Sequence, residues 1–315
     1  MARYGIPYQG SKSRIAPWVV EHLPAAPVLV DLFAGGCAVT HAAMESGRWG
    51  RVIANDLGEG PDVFRRAVAG EFAHDKTVWT REEFYLHRDD DLAHALVHSF
   101  GNNTRDYLWS PEMEAVKVPA CRMLLADTWQ ERHRLYHRFM DALAEYVAAH
   151  GEVPGQRNRY TCELEGLERL QRLQRLERLE RLQGLQRLER LERLERLLEV
   201  NRLDYREVEI PVGAAVYADP PYSETNWRGY SQAGVFSHEE FEAWLESVPF
   251  MVVVSEYAAP RGCTQVAARE RQCSMASNGA SQRSTERLFV QERFVGEYRE
   301  RMGLLAIEQA EREDA

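Results

Sequence analysis

The chain lacks several features that would narrow its function at once. No apolar run approaches the roughly 18 residues that a membrane span needs; the best, VPFMVVV, is the length of a strand. The opening MARYGIPYQGSKSRI has no apolar core of the kind a secretory signal carries, which predicts a cytoplasmic chain. There is no C-x-x-C pair. The five cysteines (Cys37, Cys121, Cys162, Cys263 and Cys273) are scattered and odd in number, which suits a reducing compartment and gives no metal-site pattern. Nor is there a surplus of positive charge: 39 basic against 49 acidic residues leave a net charge of −10. That balance excludes coating nucleic acid by bulk electrostatics, so any DNA-binding reading requires a specific site. A local basic lean exists from Arg261 to Arg301, with eight arginines against five glutamates.

What the chain does have is enough apolar material for a core. The hydrophobic fraction is 44% and the aromatic fraction 10%, values of a folded protein rather than a disordered one. At 315 residues it can form one large domain or two smaller ones. The first third alternates strand-like runs with helical patterns: SKSRIAPWVVEHL reads as an amphipathic helix with a serine cap, APVLVDLF as a buried strand, GGCAVTHAAMES as a turn opening a helix, and GRVIAND as a second strand. Such alternation predicts an α/β fold with a parallel sheet. From about Phe64 to His150 the pattern is mostly helical, broken by the polar loop SFGNNTRDY. Later come LLEV, AAVYADPPY, a helix from His238, the strand FMVVVS and a last strand near TERLFVQERF, so the sheet is split around a central insertion.

Two motifs flank that insertion. VDLFAGG, Val30 to Gly36, joins a strand to a helix; small residues there supply positive φ and let a ligand approach the backbone. Asp56 ends the next strand, 21 positions after Gly35, a spacing that puts a carboxylate on ribose hydroxyls in nucleotide-binding sheets. The second motif, ADPPY, follows the strand AAVY. Successive prolines remove two N–H donors, leaving the Asp219 carboxylate, the Pro220 carbonyl and the Tyr222 ring. That set suits a planar amine on a stackable base: the two oxygens accept from the amine and draw its lone pair out of ring conjugation.

Together these motifs resemble the Dam-type adenine-specific (N6) DNA methyltransferases, which carry a glycine-rich cofactor turn early and D-P-P-Y later, with target recognition between. PYQGSKSRI resembles the aromatic-x-G-G-K segment of that family, matching Tyr8 and Lys12 to an aromatic and a lysine at the cofactor and active site. NRLDYREVEIP resembles the family strand that ends in an aspartate, and SFGNNTRDYLWS, FSHEEFEAWLES and STERLFV resemble phage- and prophage-borne members. The resemblance implies a Rossmann-like S-adenosylmethionine-dependent methyltransferase sheet split between residues 1–60 and 198–315. Residues 61–160 become a helical insertion for target recognition. It implies S-adenosylmethionine over Asp31, Phe33, Ala34 and Gly35, with Asp56 on its ribose and Asp204 on its adenine amine. Asp219, Pro220, Pro221 and Tyr222 would receive a flipped-out adenine of double-stranded DNA, with no metal and no membrane. A phage-borne enzyme would work in the cytoplasm of a bacterial host. The turn departs from the family pattern at Cys37, where an αL backbone would be strained. Ser255 and Tyr257 fall near the base pocket without a catalytic assignment. Related X-P-P-Y motifs also serve cytosine N4, RNA and protein glutamine amides; the aspartate at the first position favours adenine.

Candidate base readers are Asn102, Asn103 and Arg105 in FGNNTRDY and Arg228 in NWRGYSQ. His133 and His137 share a helix face but have no third ligand in view.

Between the motifs lies an array with twelve leucines in triplet register from Leu164 to Leu197, separated by Glu or Gln and then Arg, twice Gly. Propensity favours a helix. Periodicity does not, since each three-residue step slips about 60° around an α-helix and leaves no apolar stripe. A short β-solenoid keeps every leucine inside, and the register running on through Val200 and Leu203 favours it. With seven glutamates against nine arginines, the array is not a basic stripe. A repeat-based interaction protein with a vestigial methyltransferase body is the rival reading; it predicts lost motif residues, whereas Asp31, Asp56, Asp204 and Asp219 all stand. The sequence carries no statement of oligomeric state.

Overall fold

The computed structural model describes residues 4–72, 74–151, 195–221, 236–273 and 282–303. The chain divides into two compact units, one taking in Pro7–Gln9 and Arg66–Glu192, the other Ala2–Ile6, Gly10–Arg65 and Arg193–Ala315.

The second unit holds the sheet. Its strands are β1 (Val28–Asp31), β2 (Arg51–Asn55), β3 (Leu198–Asn201), β4 (Ala215–Ala218), β5 (Val252–Glu256), β6 (Cys263–Cys273) and β7 (Gln282–Gln291). Among the described residues they form one seven-stranded sheet in the order β3-β2-β1-β4-β5-β7-β6. The first five run parallel, and β7 pairs antiparallel with both β5 and β6. The expected α/β class therefore holds. Strands β4 and β5 are buried at every position, as near-continuous Val and Ala runs require when both faces of a parallel sheet are covered. On one face Val30, Ile53, Val216, Val252, Val254 and Phe289 pack with Phe241 and Leu245. The last two come from a later helix, His238–Ser247, whose N-terminus is capped by Ser237 Oγ accepting from Glu240 N. Each fully buried Leu or Phe there contributes about 1.5–3 kcal/mol.

The chain leaves β1 for β2 and β3 on one side and returns to β4 and β5 on the other. The order reverses between β1 and β4, and in open α/β sheets the ligand crevice lies outside the strand carboxyl ends at that reversal. VDLFAGG and the described part of ADPPY, through Pro221, lie there. Helix α1 (Ala16–Glu21) precedes β1, and α2 (Ala38–Ser46) follows it.

Several local expectations are corrected. The helix α1 starts at Ala16, after Ile15, with no side-chain cap and a proline in its first turn. Neither serine of SKSRI caps it: Ser13 Oγ accepts from Tyr4 N at 2.9 Å and Ser11 Oγ from Ser13 N at 3.3 Å. Strand β3 ends at Asn201, so Asp204 lies three residues past it, in a turn. Strand β6 has no counterpart in the sequence reading. Residues 195–197 form a single 3₁₀ turn before β3; the rest of the leucine array lies outside the described residues.

The first unit is helical where it is described. It contains α4 (Arg81–His87), α5 (Leu92–His98), α6 (Pro111–Leu125) and α7 (Trp129–His150), counting α3 as Gly60–Val68 and α8 as the helix at His238. Each is N-capped by a side chain: Thr80 within a full capping box, Asp91, Ser110 and Thr128. Val116, Cys121, Phe139 and Leu143 form the core of α6 and α7.

Candidate active site

The turn after β1 is held from three directions. Leu32 N donates to Tyr217 O at 2.9 Å, Ala34 N to Asn55 O at 2.8 Å, and Cys37 N closes the turn on Ala34 O at 2.7 Å. The buried Asn55 amide donates to Leu32 O at 3.1 Å and Leu203 O at 3.0 Å, tying the loops after β1 and β3 to the end of β2. Gly35 has φ 49° and Cys37 φ 58°, so the strain expected at Cys37 is present, at about 1–2 kcal/mol. The N-terminal segment lies against this turn: Ile6 N donates to Gly36 O, and a Cβ on Gly5 would sit 2.3 Å from that same oxygen.

Five carboxylates gather at the ends of the strands. Asp56 accepts from Gly35 N at 2.8 Å through Oδ2 and from Gly58 N at 2.7 Å through Oδ1. Burial raises its pKa, and these two backbone donors offset part of the rise. Asp31, 1% exposed, accepts from Thr40 Oγ1 at 2.8 Å, while its buried Oδ1 has no hydrogen-bond partner among the described residues. Burial pushes Asp31 up to about 7; the Thr40 hydroxyl works against this, and the charges of Asp219 and Asp56 add to it. Glu256, at the end of β5, is likewise pushed up to about 7 by burial and by Asp219.

Asp219 and Glu286 share one cation. Lys12 Nζ lies 2.8 Å from Asp219 Oδ1 and 3.3 Å from Glu286 Oε1. Burial would lower the Lys12 pKa, but the two carboxylates outweigh it and leave it raised, so the group is an ammonium. Ser255 Oγ donates to Glu286 Oε1 at 2.6 Å. Tyr217, buried on β4, has its phenol pushed well up by burial and by Asp219 and Glu286.

The residues singled out from the sequence are thus partly assembled. Lys12, Asp31, Ala34, Gly35, Asp56 and Asp219 converge on the β1/β4 reversal. Phe33 turns toward an aromatic cluster, with ring centroids 5.3 Å from Tyr205, 5.7 Å from Phe236 and 5.7 Å from Phe241. Asp204 is gripped by Arg206 through Nε and NH2, each at 2.8 Å, which holds its carboxyl below the usual range. Pro220 is buried and Pro221 half-buried. Tyr8, half-buried, belongs to the segment grouped with the helical unit. Tyr222 and Arg228 lie outside the described residues.

In the polar loop, Asn102 donates to Leu96 O, and Asn103 Oδ1 accepts from Arg105 N and Asp106 N. Both amides are spent on holding a loop with positive φ at Gly101, Asn102 and Thr104, which leaves Arg105 as its exposed polar side chain of the three. His133 and His137 are exposed, their Nε2 atoms 3.3 Å apart. Among the described residues no group of three or more His, Cys, Asp or Glu is placed to hold a metal ion, and no helix is long and apolar enough to cross a membrane.

Glu286, Glu256 and Asn55 were missed by the sequence reading. Glu286 had a usable signal. On a strand it alternates with Leu288 and Val290, so an acid stands on an apolar face where it needs a buried partner.

The donor set fits a cationic ligand such as S-adenosylmethionine. Among the described residues a buried carboxylate oxygen of Asp31 lacks a hydrogen-bond partner, and Asp31 and Glu256 stand beside the acids that meet the Lys12 ammonium; a sulfonium and an amine suit such a set. Residues 8–106 match the family model for the D12 class N6 adenine-specific DNA methyltransferase. No curated protein matches the chain significantly.

Proposed function

Since that family match indicates a DNA adenine methyltransferase, we infer that the chain transfers a methyl group from S-adenosylmethionine to N6 of an adenine turned out of duplex DNA. The observation that carries this reading is the position of Asp219. It follows β4 at the reversal of strand order, beside the glycine turn, with Lys12 on one of its oxygens. Bound S-adenosylmethionine supplies the electrophilic methyl group. Asp31, with its unsatisfied oxygen, and the Phe33–Gly35 turn would hold it. Asp56, whose oxygens keep lone pairs beyond the two backbone donors, would take ribose hydroxyls. Asp204 would take the adenine amine, for which it must share its carboxylate with Arg206.

An adenine inside a duplex cannot present its amine, so extrusion costs a few kcal/mol. The Asp219 carboxylate and the Pro220 carbonyl then accept the two N6 hydrogens. This turns the nitrogen lone pair out of the ring and toward the methyl group. As the N6–carbon bond formed, the methyl–sulfur bond of the donor would break, its electron pair staying on sulfur as a neutral thioether; the amine would give up one proton, which Asp219 would receive and pass to solvent. Tyr222 would stack on the base. Catalysis is by positioning and by an acceptor present before the reaction begins. Incubation with labelled S-adenosylmethionine and unmethylated DNA, followed by digestion to nucleosides, tests the reading. Label is expected in N6-methyl-2′-deoxyadenosine; label in N4-methyl-2′-deoxycytidine, or none in DNA, overturns it.

A further inference from the structure

Glu286 is a buried acid far along the chain from either motif. It is 1% exposed, on the strand β7 that runs against β5, and it lies outside the match to the family model. Its Oε1 accepts from Ser255 Oγ at 2.6 Å and stands 3.3 Å from Lys12 Nζ. Ser255 is fully buried, and Lys12 is 7% exposed. The ammonium is therefore anchored by two carboxylates, Asp219 just after β4 and Glu286 on β7, the second of which Ser255 fixes in place.

The arrangement bears on how well Asp219 can accept a hydrogen bond. A carboxylate that holds a lysine alone has much of its charge neutralised and binds a neutral amine weakly. A carboxylate that shares the lysine with a second acid keeps more of its charge for the amine. We propose that Glu286 is a positioning residue for methyl transfer: with Ser255 it holds the Lys12 ammonium between two carboxylates, leaving Asp219 a strong acceptor for the target amine. This deepens the proposed function and rests on it. Among the described residues the charged and titratable groups around the cluster include Lys12 from the N-terminal segment and Asp31 on β1. Tyr217 and Asp219 come from β4 and its end, Glu256 from β5, Arg287 from β7, and Arg269 stands opposite Glu286 on β6. Arg287 is engaged with the Tyr257 carbonyl at 2.6 Å.

The test is single-turnover methylation of unmethylated DNA by the full chain, measured across pH. Glu286→Gln keeps the size and the hydrogen bond from Ser255 but removes the charge. The rate constant is expected to fall about tenfold, with the affinity for S-adenosylmethionine unchanged. The acid limb of the pH profile should move to lower pH by about one unit, because Asp219 then has Lys12 to itself. Ser255→Ala should move the same limb the other way: Glu286 without its hydroxyl donor draws Lys12 from Asp219. It also serves if Glu286→Gln does not fold. A fall in rate with no displacement of the acid limb, or displacement in the same direction in both variants, overturns the proposal. Absence of adenine methylation in the wild-type chain overturns the proposed function instead.

Discussion

Each unit holds an ionic cluster of one cation between two carboxylates, half-buried in the helical unit and more deeply set in the sheet unit, and the two behave oppositely. In the helical unit His94 donates from Nδ1 to Asp91 at 2.7 Å and from Nε2 to Asp75 at 2.6 Å. Both aspartates also accept backbone donors, Thr77 N on Asp75 and His94 N on Asp91. Burial opposes ionisation of all three, yet the hydrogen bonds win: the acids are held below their usual range and His94 is raised to about 9. The members are at most 19 residues apart. In the sheet unit Lys12 and Asp219 are 207 positions apart, and the surrounding acids, Asp31 and Glu256, are pushed up to about 7. The first cluster is complete and staples local structure. The second sets further acids with raised pKa values beside its cation among the described residues, the kind of environment in which functional sites are found.

Removing the histidine should cause the largest loss. His94→Leu leaves two half-buried acids without their cation and removes two charge-assisted hydrogen bonds, at about 1.5–3 kcal/mol each, read as lost amide protection in α5. The same staple sets a pH dependence. The folded pKa of His94 is raised above its ordinary 6.5, so its stabilisation is complete below that value and disappears as pH rises through about 9. Protection in α5 should decline over that window in the wild type and not in the variant.

Gly5→Ala attacks the sheet unit through the backbone. The added Cβ would meet Gly36 O at 2.3 Å and Ala38 N at 2.8 Å, at a φ of 73°. Left-handed strain and overpacking together should cost about 3 kcal/mol and weaken S-adenosylmethionine binding, as seen by thermal unfolding and calorimetry.

The smallest effect on stability, and the most telling, is expected of Asp31→Asn. Asp31 titrates near 7 in the folded chain against 3.8 when free, so its contribution falls as pH rises between those values. Replacing it should raise stability above neutral pH by about 1 kcal/mol while lowering cofactor affinity. An equivalent gain from Asp75→Asn would erase the distinction between the clusters.

The sequence revealed the sheet and its two motifs because their signals are local: a small-residue turn after a Val-rich strand, and two prolines after another. The acid at 286 was hidden because its partner Lys12 arrives from the other end of the chain. Strand β6 escaped notice because TQVAARERQ is rich in charge and becomes a strand only by pairing with β7 along its whole length. The partners of the polar-loop asparagines were hidden for a related reason: sequence shows an amide but not that Asn102 donates to the Leu96 carbonyl of α5 or that Asn103 accepts from the amides of Arg105 and Asp106. Helix α1 lacks the expected serine cap because the two serines of SKSRI serve other amides, those of Tyr4 and Ser13.

The central claim is that Asp219, at the reversal of the sheet, receives the adenine amine. Its most direct test compares wild type and Asp219→Ala for transfer of label from S-adenosylmethionine to adenine N6 in DNA, with cofactor binding measured on the same samples. Label in adenine from the wild type only, with both proteins binding cofactor, is the predicted result; full transfer by Asp219→Ala would contradict the account.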